Sequence, residues 1–144
     1  MARTTTATVS AAANSLRDMA TEARRDQHGA VVFQFNYLPP SVNDLHHQRA
    51  DGGKALTDAA RTFQRDCQQL RDMVKFRPTK MATYAVFMWF WFPDWNADID
   101  NRIKPFLDGI LGSRVDQRVI RLGVHKYVAP GRTWAVARVL EVQR

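Results

Sequence analysis

Three aspartates and a lysine in the second half of the chain have the types and spacing that could hold a divalent cation. Asp98 and Asp100 stand two residues apart, Lys104 follows Asp100 by four residues, and Asp116 follows Lys104 by twelve. Because residues two apart share a face in an extended segment, Asp98 and Asp100 are expected to point the same way. If Asp116 returns close to them, the three carboxylates repel one another unless a cation lies between them.

The chemistry that such a group would perform is hydrolysis of a phosphodiester. Mg²⁺ binds carboxylate oxygens and keeps several waters, which leaves room for a phosphate oxygen and a nucleophile. Lys104 would face the phosphate and stabilise its added negative charge. The alternative interpretation is structural. In it Asp100 caps a helix, Asp98 and Asp116 lie in solvated turns, and Lys104 pairs with Asp100.

The overall charge favours an anionic partner. The chain has 21 Lys and Arg against 14 Asp and Glu, a net charge of +7, which favours nucleic acid or an anionic membrane surface. The single cysteine, Cys67, excludes an intramolecular disulfide and a cysteine-rich zinc site, and is typical of a reducing compartment. The longest apolar run, residues 81–92, is shorter than the roughly 20 residues that a membrane-spanning helix needs. We therefore expect a cytoplasmic protein with no membrane partner.

The elements that must position these residues follow from hydrophobic periodicity. Strands are predicted at 30–37, 81–92, 118–128 and 134–142, and helices at 57–74, with Thr57 as N-cap, and at 100–111, ending at Gly112. The continuous apolar run predicts a central strand covered on both faces, and the turn at 129–132 predicts that the last two strands form a hairpin. The order β-α-β-α-β-β predicts an α/β (α+β) domain with a small mixed β-sheet and two main helices.

The domain is predicted to occupy residues 29–144. Residues 1–28 are predicted to be a leader, either disordered or an added helix from Val9 to Arg25. Residues 41–54 are polar and predict a loop, in which His46 and His47 suit contact with DNA or solvent better than a metal ion. Trp89, Phe90 and Trp91 are expected in the core.

Three segments together carry a resemblance to a known family: DIDNRIK at 98–104, FLDGIL at 106–111 and VDQRV at 115–119. They resemble the RusA family of Holliday junction resolvases, as does LPPSVN at 38–43, and the likeness runs from about Val31 to the C-terminus. Two positions depart from the family pattern. WNA at 95–97 stands where family members often carry arginines, and Val115 stands where an acid often precedes the third aspartate.

The resemblance implies a homodimeric, magnesium-dependent endodeoxyribonuclease, with Mn²⁺ able to replace Mg²⁺. Such an enzyme resolves Holliday junctions, which are four-way DNA, during recombination and repair. The resemblance also implies a bacterial or phage-encoded protein that acts at the nucleoid. It implies that Asp98, Asp100 and Asp116 are metal ligands and catalytic residues and that Lys104 is the catalytic lysine.

The remaining candidates are supporting or DNA-binding residues. The resemblance implies that Asn101 braces the site, that Asn43 lies near the DNA or supports the acidic segment, and that Lys126 belongs to the matching final strands. Trp95 stands at a corner beside the acids, where its ring could stack on an unpaired base. Two other functions stay open: a structure-specific DNA-binding module that does not cut, and a metal nuclease that acts on other branched DNA.

Overall fold

The computed structural model describes residues 20–142. Its strands are β1 (Glu22–Arg25), β2 (Val31–Phe35), β3 (His46–Gln48), β4 (Lys54–Leu56), β5 (Thr83–Phe92), β6 (Val119–Val128) and β7 (Trp134–Val142), and its helices are α1 (Asp58–Met73) and α2 (Asp100–Leu111). The main sheet has the order β1-β2-β7-β5-β6; β5 and β6 are parallel and the other neighbours antiparallel. A separate hairpin is formed by β3 and β4. This arrangement confirms the predicted small mixed sheet with two main helices.

The core lies between the sheet and the two helices. Phe63 of α1 and Phe106 of α2 pack against Phe35 of β2, with ring centroids 5.2 and 5.6 Å apart. The helices approach each other closely at Gly109, where a Cβ atom would lie 2.5 Å from the Phe63 ring. A residue without a side chain is therefore what allows α2, and the candidate residues on it, to lie this close to α1.

The helix ends agree in part with the sequence prediction. The Thr57 hydroxyl accepts the Ala60 amide at 3.2 Å, which confirms this residue as an N-cap. Gly112 ends α2 with a φ of 84°, a conformation that favours glycine. The expected cap at Asp100 is wrong, because Ile99 is the N-cap residue of α2 and no side chain caps this helix. Asp100 is instead the first helical residue, where a negative charge is favourable.

The predicted hairpin of the last two strands is wrong. β5 lies between β6 and β7, and the Ala129 amide donates to the Phe92 carbonyl at 2.8 Å as the chain passes the end of β5. A strand that is almost continuously apolar is best placed at the centre of the sheet. The helix between β5 and β6 lets these two strands pair in parallel.

The predicted start of the domain and the predicted loop also need correction. Residues 22–25, expected in a leader, form β1 and pair with β2, and the Arg25 side chain donates to the carbonyls of Val74 and Lys75 at 3.3 Å. Within residues 20–142 the first strand of the sheet therefore begins at Glu22; Ala20 and Thr21 are not helical, and residues 9–19 of the predicted helix lie outside the described residues. The segment 41–54 holds a 3₁₀ turn at Val42–Asp44 and strand β3, which pairs with β4.

One face of the sheet carries aromatic side chains that were expected in the core. Phe90 is fully buried, but Trp89 and Trp91 alternate with it and are only partly buried, because both helices bury their apolar residues against the other face. Trp91 stacks between Tyr127 and Trp134, with centroids 5.1 and 4.9 Å away, and Trp89 stacks on a histidine of β6. We call Trp89, Trp91, Tyr127 and Trp134 the aromatic face. None of the helices in residues 20–142 is long and apolar enough to span a membrane.

Candidate functional site

The candidate site lies along the side of α2 that faces away from the core. Phe106, Ile110 and Leu111 are buried on the inner side of this helix. Residues three or four apart lie on the same side of a helix, so Asp100, Lys104 and the neighbouring Asp108 form one polar row. The amphipathic pattern of α2 thus fixes which of its side chains can take part in chemistry.

Lys104 joins this row to the segment that follows the helix. Its Nζ donates to Asp116 Oδ2 at 2.9 Å and to the two carboxylate oxygens of Asp108 at 3.1 and 3.2 Å. Val115 is buried and holds the 3₁₀ turn Asp116–Arg118 against the core. The hydrogen bonds to Asp116 and Asp108 raise the pKa of Lys104, which stabilises the charged form of the amine further.

Asp98 and Asp100 lie before this cluster and are both exposed. No hydrogen bond or ion pair engages either carboxylate anywhere in residues 20–142. The expectation that they share one face of an extended segment is wrong at Ile99, whose φ of −73° and ψ of −37° are helical. Ile99 does pack against the core, so the chain turns between the two acids instead of alternating.

The three predicted metal ligands do not converge in this structure. Across residues 20–142, no group of three or more acidic, histidine or cysteine side chains has an arrangement that could hold a metal ion. Asp116 instead binds Lys104. The structure therefore brings together Lys104 and Asp116 from the predicted set, with Asp108 in addition, and leaves Asp98 and Asp100 open at the start of the same helix.

The LPPSVN segment packs beside the start of α2. The Arg102 guanidinium donates to the Pro39 carbonyl at 2.6 Å, and its partial burial lowers its pKa. The Ser41 hydroxyl accepts the Asn43 amide at 3.2 Å, which orders the 3₁₀ turn that contacts α2. The segments 38–43 and 98–104, which both carry the resemblance to the RusA family, are thus neighbours in the structure. The side chains of Asn43 and Asn101 make no hydrogen bond with any described residue.

Lys126 supports the loop that precedes the acids. Its Nζ donates to the carbonyls of Ala97 and Trp95, and lies over the rings of Phe92 and Trp95 at 5.2 and 5.8 Å. The ammonium group of Lys126 is thus bound within the protein, where it holds the loop at residues 95–97 in place. Trp95 is 75% exposed, so its outer ring surface is open to solvent at the predicted corner.

Two residues of the site were missed by the sequence reasoning. Asp108 stands four residues after Lys104, and that spacing alone predicts a salt bridge on a helix. Arg102 gave no comparable signal, because its partner is a backbone carbonyl 63 residues away.

Comparisons with known proteins add no family assignment: no family model matches the chain, and no curated protein matches it significantly. The likeness to the RusA family therefore stays a prediction that rests on the motifs.

Proposed function

We propose that this protein is a magnesium-dependent endodeoxyribonuclease that resolves four-way DNA junctions by paired phosphodiester cleavage. The observation that carries the proposal is the 2.9 Å contact between Lys104 Nζ and Asp116 Oδ2. It joins a residue on α2 to one that lies beyond the end of that helix, within the motif that resembles the RusA family. The net charge of +7 supports a polyanionic substrate.

The donor atoms suit Mg²⁺ in their chemistry. Asp98 and Asp100 offer exposed carboxylates with no partner in residues 20–142, and Asp116 offers a third, of which Oδ2 is bound to Lys104. Mg²⁺ or Mn²⁺, when bound, would lower the pKa of a water and stabilise charge on the phosphate. In this ligand set, Asp116 would share its negative charge between the Lys104 ammonium and the ion.

Lys104 would be held in place beside such an ion by Asp108. If Asp116 bound the ion, the ammonium would keep Asp108 as a partner on the outer side of α2. Its remaining N–H groups can then donate to a phosphate oxygen on which negative charge develops. Asp108 thus acts as a positioning residue for Lys104.

A four-way junction presents two-fold related strands, so paired cuts require two active sites and a symmetric dimer. We propose that the aromatic face forms the contact between the two copies. Aromatic side chains are enriched in protein interfaces, and an exposed apolar patch marks a surface that binds another protein. Tyr127, which is 44% exposed, stands at the accessible side of this face.

The dimer contact is tested by sedimentation of the full chain. Tyr127→Glu places a charge in the proposed contact and should convert a dimer into a monomer. Met81→Glu is the matched control, because Met81 is 90% exposed and lies outside the aromatic face. A monomeric wild type, or a dimer that survives Tyr127→Glu, would remove this surface from the proposal.

The nuclease activity is tested with a synthetic four-way junction and Mg²⁺. Asp100→Asn should lower the cleavage rate by about 10²-fold or more, the order seen when one electrostatic group at a reacting centre is lost. Asp94→Asn is the control, because Asp94 Oδ1 accepts the Asn96 amide at 2.9 Å and the asparagine side-chain oxygen can accept the same bond. Equal cleavage by wild type and Asp100→Asn would remove Asp100 from the active site.

Two outcomes separate this function from its alternatives. Tight junction binding with no cleavage across several divalent ions would indicate a DNA-binding module. Faster cleavage of other branched DNA than of four-way junctions, in direct competition, would indicate a metal nuclease with a different substrate. The proposed activity belongs in the cytoplasm, at the nucleoid of a bacterium or in a phage-infected cell.

A further inference from the structure

A cleft of about 670 Å³ lies between α1, α2 and the β3–β4 hairpin. Its apolar lining includes Leu45, Leu56, Phe63 and Pro105, which come from all three elements. Its polar lining on α1 comes from Arg61, Gln64, Arg65 and Gln68, which recur at three- and four-residue steps and so lie along one side of the helix. The cleft therefore combines an apolar surface with a cationic wall.

Two arginines of this wall are available to an anion. Arg61 Nη1 lies 3.5 Å from Asp58, whose side chain is fully exposed, and Arg65 Nε lies 4.0 Å from Asp66. The pair of Arg61 with Asp58 is exposed, and exposed ion pairs contribute little, about 0–1 kcal/mol; in the other pair, Arg65 itself is exposed and lies at the longest distance for an ion pair. Asp66 also accepts a hydrogen bond from the Tyr37 hydroxyl at 2.5 Å, which further weakens its attraction for Arg65.

Arg71, further along α1, already donates hydrogen bonds within the protein. It donates to the Gly109 carbonyl on α2 and to Gln68 Oε1 at 2.8 Å, so it ties the two helices together at their closest approach. The cationic wall therefore divides into a fixed end at Arg71 and an open part at Arg61 and Arg65.

The cleft also meets the candidate site. Asp108 lines the cleft and accepts hydrogen bonds from Lys104, which in turn binds Asp116. The ammonium group of Lys104 offsets the negative charge that Asp108 would present to a phosphate. A chain of phosphates that follows the α1 wall would thus lead towards Lys104.

We propose that this cleft binds a single strand of DNA. Guanidinium groups recognise phosphates, and an apolar surface receives unstacked bases. The volume is that of a small-molecule site, which suits a few nucleotides of one strand and not a duplex. The role of the strand in cleavage rests on the proposed function, whereas its binding does not.

The test measures binding of a fluorescent oligothymidine to the full chain, without divalent ions, over a series of salt concentrations. Arg61→Gln combined with Arg65→Gln should weaken binding and reduce the slope of log K against log salt by about 1.4, since each phosphate contact to a single strand contributes about 0.7. The control combines Arg77→Gln with Lys80→Gln, which removes the same charge outside the cleft. The control should keep the wild-type slope.

A conservative double variant guards against a folding defect. Arg61→Lys with Arg65→Lys keeps both charges and should restore most of the salt dependence. The proposal is overturned if Arg61→Gln with Arg65→Gln keeps the wild-type slope. It is also overturned if this variant and the control, Arg77→Gln with Lys80→Gln, lose the same amount of slope. A wild-type protein that cleaves no junction, while the slope still differs between Arg61→Gln/Arg65→Gln and the control, removes the nuclease and leaves the strand site.

Discussion

Replacing Lys104 by methionine should tighten the binding of Mn²⁺. The Lys104 ammonium holds Asp116 at 2.9 Å and Asp108 at 3.1 Å. A metal ion that binds Asp116 would compete with this ammonium for the charge of the same carboxylate. Methionine has a similar length and no charge, so it leaves the carboxylate free to bind the incoming ion.

The size of this effect follows from the exposure of the pair. The side chains of Lys104 and Asp116 are 64% and 21% exposed, so water and salt screen much of their attraction. Exposed ion pairs contribute about 0.2–1 kcal/mol, which converts to a gain in Mn²⁺ affinity of about 1.5- to 5-fold. The loss of repulsion between the ion and the ammonium acts in the same direction.

The assay is a Mn²⁺ titration followed by electron paramagnetic resonance at neutral pH. Lys80→Met is the control, because Lys80 is exposed and its loss changes the net charge equally. Asp116→Asn should weaken Mn²⁺ binding in the same assay. The reasoning is refuted if Lys104→Met binds Mn²⁺ no more tightly than Lys80→Met does, or if Asp116→Asn binds it as the wild type does.

Three further predictions concern the scaffold. Tyr37→Phe should lower the free energy of unfolding by about 1–2 kcal/mol in urea denaturation, because it removes the 2.5 Å bond to the Asp66 carboxylate; no loss would show that the bond contributes nothing. Asp26→Asn should make the stability of the protein depend less steeply on pH in acid. The hydrogen bond from Arg138 lowers the pKa of Asp26, so the ionised carboxylate adds to the free energy of unfolding above about pH 4. This contribution is lost as the pH falls through the folded-state pKa. Equal losses of stability by the two proteins in thermal melts at pH 2–7 would contradict this. Gly109→Ala should lower the melting temperature, because the new Cβ would lie 2.5 Å from the buried Phe63 ring. The overpacking cost of about 1–3 kcal/mol exceeds the roughly 1 kcal/mol gained in helix propensity. An unchanged melting temperature would show that the helices can separate.

The parts of the fold that depend on local sequence were predicted well. The period of apolar residues in α1 and the hydroxyl of Thr57 specify that helix and its start without reference to the rest of the chain. The order of strands was not predictable in this way, because the insertion of β5 between β6 and β7 depends on contacts between distant segments. Propensity cannot reveal which strand becomes a neighbour.

The candidate site shows the same division. Asp116 was expected to return close to Asp98 and Asp100, and the structure places it against Lys104 instead. The shared face of Asp98 and Asp100 was not found, because that prediction assumed an extended chain where Ile99 is helical. The predicted bounds of this helix, 100–111, agree with those of α2, so the error lies in the single residue before it. A helical conformation at Ile99 is enough to turn the two acidic side chains away from a common face.

The position of β6 has a practical consequence for handling the protein. This ten-residue strand pairs with β5 on one side and forms the last strand of the sheet in the described part of the chain. Ile120 and Leu122 on it are 62% and 44% exposed. A long outer strand with open amides is a template for stacking of molecules into aggregates, and charged side chains such as Arg121 oppose this by mutual repulsion. Concentrated stocks should therefore stay clearer at low ionic strength, where that repulsion is least screened.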